Sequence, residues 1–190
     1  YMLKVNEAAP RGRLISVYLT LANAQKTVFE GSFDLTIGKP SILISDLDKN
    51  KNSAVHIAAA LRQLKTGYEF TESIDSSLLE FNYNLLSLGA YTQNHLLTPH
   101  EDSLLVEFLN RGNSLYLESG AFFKQTPVTM LRSRLRAEGS YLAWVDPADT
   151  IVGIVGTQAD GIQIEYLGDW KRCENLLALE PAIPWFRDKN

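Results

Sequence analysis

Asp46 and Asp48 stand two apart in Ser41–Asn52, SILISDLDKNKN, where an apolar run climbs into acid and breaks into a polar turn. Two carboxylates so spaced can hold a cation or cap a turn. Asp46, Asp48 and Asn50 imitate the first three oxygen positions of a calcium loop. The twelve-residue version also needs glycine at its sixth place and a bidentate glutamate at its twelfth. Those places hold Lys51 and Ile57, so this is no EF-hand. What stays open is a looser cation site on Asp46 and Asp48 with other strand-end oxygens, or a turn capped by Asx hydrogen bonds.

Glu118-Ser119-Gly120 is the second set. A G-x-S-x-G elbow exposes its hydroxyl on a strained turn with glycine on both sides, but Leu117 and Ala121 occupy the flanks. Glu118 and Ser119 are therefore weak catalytic candidates, and no catalytic residue is assigned. His95, His100, Glu101 and Asp102 form a third cluster. A proline helix start separates the histidines, which is poor spacing for two ligands on one helix face. No metal is expected beyond the weak candidates Asp46 and Asp48. Cys173 is the sole cysteine, which excludes an internal disulfide framework and a Cys-rich zinc site. Tyr141, Trp144, Tyr166, Trp170 and Trp185 either fill a core or offer ring faces to a glycan or peptide. Gly153 and Gly156 lie in a strand-like run with no following helix, so they make no phosphate loop and no cofactor is expected.

The elements that must position these residues change rhythm along the chain. Residues 14–21 and 27–37 are β-rich, with Phe33, Leu35 and Ile37 alternating against Ser32, Asp34 and Thr36 as in an antiparallel sheet or sandwich edge. Residues 1–39 are thus a β-rich segment, the end of a preceding sandwich or strands added to the main sheet. From residue 40 to 190 the order is strand, helix, strand. The run Ile42-Leu43-Ile44 predicts the first strand of a doubly wound α/β domain, which places Asp46 and Asp48 where such folds gather ligands. An Asn52 or Ser53 cap opens a helix with Ile57, Leu61 and Leu64 on one face, ended by Gly67. Tyr68–Thr71 and Tyr83–Gly89 read as strands. Thr98-Pro99-His100-Glu101 is a capping box, with Leu104, Leu105, Phe108 and Leu109 behind it and Gly112 as the stop. A strand follows at Ser114–Glu118, then a helix from Thr126-Pro127 closed by Gly139. The arginines Arg132, Arg134 and Arg136 read as its solvated surface rather than an anion clamp. Residues 150–156 and 162–166 flank Asp160-Gly161 as a hairpin, and 176–186 read as a last strand and an extended tail.

Net charge is -4, from 18 basic and 22 acidic residues, which gives no footprint for nucleic acid. Apolar runs reach only about five residues, against the ~18 that a membrane span needs. An apolar share of 45% in 190 residues supports a full core.

ILISDLDKN, the amphipathic helix, LLSLGAY and LTPHEDSLLVEFLNRGNSLYLESGAFF together resemble the class I glutamine amidotransferase-like fold. The likeness covers about residues 33–166 and is closest to non-amidotransferase versions embedded in large secreted bacterial proteins. It implies a Rossmann- or flavodoxin-like sheet with helices on both faces, and a ligand-binding rim at Asp46, Asp48, Gly89, Tyr91 and Gly120. True amidotransferases carry G-x-C-x-G at the strand-to-helix turn, with His and Glu near the C-terminus. Here Glu118 takes the cysteine position, Tyr116 replaces the first glycine, and His56, His95 and His100 all precede the turn. The resemblance therefore implies a non-catalytic accessory or interaction domain of a larger exported protein. Its location would be periplasmic, cell-surface or extracellular, and its partners the other domains of that chain or a protein or glycan ligand. The alternatives are a cryptic hydrolase using Asp46, Asp48, Glu118 and Ser119, and a glycan- or peptide-binding module using the C-terminal aromatics.

Overall fold

The computed structural model describes residues 8–22, 26–89, 95–120, 122–125, 129–140, 150–165, 175–184 and 186–188. The chain divides into two compact units, Tyr1–Ser87 with Arg111–Tyr116, and Leu88–Asn110 with Leu117–Asn190. The architecture is mixed α/β, with a four-stranded parallel sheet and a separate antiparallel pair.

The first unit begins with that pair, β1 (Leu14–Ala22) and β2 (Thr27–Thr36), in register from Leu14↔Thr36 to Leu21↔Phe29. Side chains alternate across a strand. One face of the ribbon therefore carries Ile15, Val17, Leu19 and Leu21 opposite Leu35, Phe33, Gly31 and Phe29. The other carries Ser16, Tyr18 and Thr20 opposite Asp34, Ser32 and Glu30, and the Ser16 hydroxyl donates to Asp34 at 2.7 Å. The apolar face is open: Leu19 is 46% exposed, Leu21 59%, Phe29 51% and Phe33 42%.

Next come β3 (Ile42–Asp46), α1 (Asn52–Gln63), β4 (Glu69–Thr71) and β5 (Tyr83–Gly89), with β6 (Ser114–Ser119) joining later. The sheet order is β4-β3-β5-β6, and β3 runs parallel to both its neighbours. A strand covered on both faces reads as a continuous apolar run rather than an alternation. β3 fits this, since Leu43, Ile44, Ser45 and Asp46 are all buried. Leu47, Ile74, Leu78, Phe81 and Leu86 join this unit's core, and Asp75 starts the short 3-10 turn Ser76–Glu80 by accepting from the Ser77 N–H at 2.8 Å.

Two details of α1 differ from the expectation. Its cap is Lys51, in the left-handed region at φ 61° and with no side-chain cap bond, rather than Asn52 or Ser53. Its apolar stripe is shallow, with Ala54 the buried residue and Leu64 67% exposed. Nor does Gly67 end the helix: the left-handed residue is Lys65, at φ 51°. Gly67 serves instead as a seat for the ribbon. Its N–H donates to Gly12 O at 2.7 Å, and a Cβ there would lie 2.4 Å from Thr36 Cγ2. Leu14 N to Lys65 O at 3.0 Å and an Arg13–Thr66 bridge complete the mount.

The second unit holds α2 (Pro99–Asn110), whose Leu104, Leu105 and Phe108 are buried as their spacing predicts. α3 (Phe122–Gln125) and α4 (Met130–Arg134) follow. Thr126, Pro127 and Val128 lie outside the described residues. α4 is capped by Thr129, which accepts from the Arg132 N–H at 3.2 Å. Gly139 does not close this helix. Leu135 is its C-cap, Arg136 turns out at φ 50°, and Gly139 pairs with Leu176 in a sheet of β7 (Ala137–Ser140) and β10 (Asn175–Ala178). Arg136 is therefore not a helix-surface residue, and its guanidinium donates to Glu180 O at 2.6 Å. Arg132 stacks over the Phe123 ring at 5.5 Å.

β8 (Thr150–Gly153) and β9 (Gln163–Glu165) pair antiparallel, but the connection is a long folded loop, not a tight Asp160-Gly161 turn. Gly153 permits this fold-back, because a Cβ there would fall 1.6 Å from Ala159 O. The C-terminal stretch supplies two strands, since β11 (Phe186–Asp188) also pairs with β8.

Candidate functional site

In the first unit, the carboxyl end of β3 collects acid. Asp46 is 0% exposed, Asp48 half-buried. The turn beyond is held by backbone donors: Leu47 N–H to Ser87 O at 3.0 Å, and Lys51 N–H to Asp46 Oδ2 at 3.1 Å. Asn50 donates its amide to Asp48 Oδ2, and its own Oδ1 accepts from the Asn52 N–H at 2.8 Å. This is the Asx-capped turn expected of the stretch, tightened by left-handed Lys49 and Lys51 at φ 57° and 61°.

Capping leaves part of the acid unanswered. Asp46 Oδ1 and Asp48 Oδ1 are buried atoms that receive no donor among the described residues from outside the two carboxyls themselves. Neither carboxylate pairs with a cationic side chain there, and the Lys51 ammonium lies 3.8 Å from Glu72 instead. Burial, then a hydrogen bond with Asp46, then repulsion from its charge push the Asp48 carboxyl up to about 6, against backbone N–H bonds that pull it down. Ser87 is the register partner of Asp46 on β5. It is 4% exposed. One layer in, Ser45 donates to Asn84 Oδ1 at 2.9 Å, both side chains fully buried. Ser87 and Asn84 escaped the sequence reading, because a lone polar residue inside an apolar strand carries no spacing signal.

In the second unit, Gly120 N–H donates to Gly89 O at 3.0 Å, so these two candidates come together at a backbone contact. Glu118 and Ser119 are half-buried, and the turn leads into the four residues of α3. Both side chains stand in a strand–turn–helix setting, without the thiol that amidotransferase chemistry requires there. Tyr91 lies outside the described residues, as do Tyr141, Trp144, Tyr166, Trp170, Cys173 and Trp185.

The helix start in this unit is capped from both sides. Thr98 N–H donates to Glu101 Oε2 at 2.7 Å and Glu101 N–H to Thr98 Oγ1 at 3.3 Å, the reciprocal capping box. His95 Nε2 sits 3.1 Å from the same Glu101 oxygen. Burial alone would raise Glu101. The Thr98 N–H, His95 and the Thr98 hydroxyl outweigh it and hold the carboxyl below its ordinary value. Asp102, 4% exposed, accepts from the Leu131 N–H at 3.3 Å, so an acid of α2 caps the start of α4. His100 is exposed at this helix start, and His56 is exposed on α1. No cluster of three or more His, Cys, Asp or Glu with metal-binding geometry occurs among the described residues, and no described helix is long and apolar enough to cross a membrane. No protein-family model, curated protein or solved structure matches the chain.

Proposed function

We propose that this chain is a non-catalytic, class I amidotransferase-like accessory domain of a larger exported protein, joined to a neighbouring domain through the apolar face of β1–β2. The observation that carries this reading is the ribbon. Eight register-paired positions on one face are apolar or glycine, and several are open to solvent. A two-stranded ribbon is marginal by itself. An apolar face of this size therefore calls for a cover, and a β-domain of the same longer protein would supply a matching sheet face.

The α/β part supports the amidotransferase-like half of the reading. Numbered by appearance within that sheet, its strands run 2-1-3-4, which is how the flavodoxin-like order 2-1-3-4-5 begins. Glu118 in the nucleophile's place supports a scaffold without amidotransferase chemistry. The exported location rests on the resemblance alone.

The test is hydrogen exchange on the β1–β2 amides, in this chain alone and in the intact natural gene product. Exchange at least tenfold slower in the intact protein is expected. Equal rates, or a gene product no longer than these 190 residues, overturn the reading. So does turnover of an amide, ester or glycoside substrate that Glu118→Gln or Ser119→Ala abolishes.

A further inference from the structure

We infer that the cleft between α2 and α4 is a binding site for a small organic acid, with Arg134 for its carboxylate and Val106 and Met130 for its apolar tail. The inference is independent of the accessory-domain reading, because every residue it uses lies in the second unit and none in the ribbon.

The cleft follows from how the two helices meet. Residues four apart stack on one face of a helix, so Asp102, Val106 and Asn110 form one ridge of α2. At the first of them the helices are pinned. Asp102 accepts the Leu131 N–H at 3.3 Å, and Leu105 and Leu131 are both fully buried. The rest of the ridge does not close on α4. Val106 and Asn110, with Thr129, Met130, Ser133 and Arg134, instead line a cavity of about 590 Å³ that is open to solvent. Small-molecule sites occupy roughly 300–1,000 Å³.

The charge of the lining is a separate observation. Arg134 is its charged group, and no Asp or Glu is among the lining residues. The arginines two residues away on either side are engaged, Arg132 over the Phe123 ring and Arg136 on Glu180 O. The Arg134 guanidinium has neither an ion pair nor a hydrogen bond among the described residues. The chain carries 22 acids to 18 bases and still leaves this cation unclaimed.

The remaining groups decide what can answer it. Thr129 Oγ1 accepts the Arg132 N–H at 3.2 Å, which leaves the hydroxyl its own proton to donate. Ser133 spends its proton on Thr129 O at 2.9 Å. Asn110 adds an amide with no partner among the described residues. The polar lining is thus rich in donors, and a guanidinium takes a carboxylate through two parallel N–H bonds. Val106 and Met130 supply an apolar wall, and Met130 is 59% exposed. Its unbranched thioether side chain adapts to irregular apolar shapes. Inorganic phosphate would satisfy the cation and leave that wall unused. A neutral apolar ligand would do the reverse, and a carboxylate with an apolar tail uses both.

Hexanoate is the probe, with hexanamide as its uncharged analogue and acetate as the acid without a tail. Added to the isotopically labelled full chain near neutral pH, hexanoate is expected to shift the amides of Val106, Asn110, Met130 and Arg134 and to saturate. Hexanamide and acetate should each bind about tenfold more weakly, since one loses the charge-assisted bonds and the other the apolar contact. Arg134→Gln should weaken hexanoate about tenfold, and Met130→Gln severalfold. Both side chains are exposed, so the spectrum away from the cleft should stay in place. Equal binding of hexanoate and hexanamide, with shifts spread over Leu19, Leu21 and Phe29 of the ribbon, means adsorption to any open apolar face and overturns the inference. Equal binding of hexanoate and acetate reduces the site to a surface cation and overturns it too. So does binding that survives in Arg134→Gln, or a titration that moves none of the four amides.

Discussion

Asp48 and Glu101 are both part-buried carboxylates beside a second acid, and their surroundings drive them in opposite directions. At the start of α2 each acid meets a donor: Thr98 gives its N–H to Glu101 and its hydroxyl accepts the Glu101 N–H in return, His95 adds its ring, and Asp102 receives the Leu131 N–H. At the end of β3 the Lys51 N–H, the Asn50 amide and backbone N–H groups of the turn donate, and burial together with the neighbouring Asp46 outweighs them at Asp48. Glu101 is held low and Asp48 is pushed up. The difference teaches where acid builds a fold and where it strains one. An acid at a helix start meets free N–H groups and the favourable end of the dipole. At the end of a parallel strand an acid meets only the donors that the next turn provides.

Asp102→Ala should break the comparison most strongly. It removes a buried acceptor and leaves the Leu131 N–H unanswered, at a cost of about 2–3 kcal/mol. Urea unfolding would read this, and Asp102→Asn, which keeps an acceptor, should recover part of it. Glu101→Ala comes next, at about 1 kcal/mol for a lost capping interaction. A depressed carboxyl contributes stability that is present above the ordinary glutamate value, about 4.3, and is lost as pH falls through the folded one. The wild-type chain should therefore lose stability below about pH 4 more steeply than Glu101→Ala. An unchanged acid limb would mean that the box is not formed in solution. Asp48→Asn should have the smallest effect and the opposite sign. At neutral pH it removes the repulsion and supplies a donor to Asp46. A rise in Tm of about 2 °C is expected, and a fall would show that the Asp46–Asp48 pair is already satisfied.

Much of the site's scaffold was legible because its signals are local. The run Ile42-Leu43-Ile44 and the box Thr98-x-x-Glu101 each declare an element within a few residues, and β3, β5 and α2 lie where those signals put them. What escaped depends on partners far along the chain. Gly139 looks like a helix stop until Leu176 pairs with it, and Asp102 looks like a dipole acid until α4 comes beneath it. The cap of α1 was hidden differently. Lys51 adopts a left-handed backbone to which its side chain contributes no signature, while the better capping types, Asn52 and Ser53, stand just inside the helix. Asp46 and Asp48 were legible as a turn. The neighbour Ser87 was not, because it enters only through strand register.

The seat at Gly67 has a mechanical consequence. The β1–β2 ribbon is fastened to its unit in two places, covalently through Lys39-Pro40-Ser41 and by the backbone clip of Gly12, Arg13 and Leu14 on Lys65, Thr66 and Gly67. One fastening would make a tether, free to swivel. Two separated fastenings make a bracket, which resists torque and passes a pull on the ribbon into the α1–β4 turn as well as into β3.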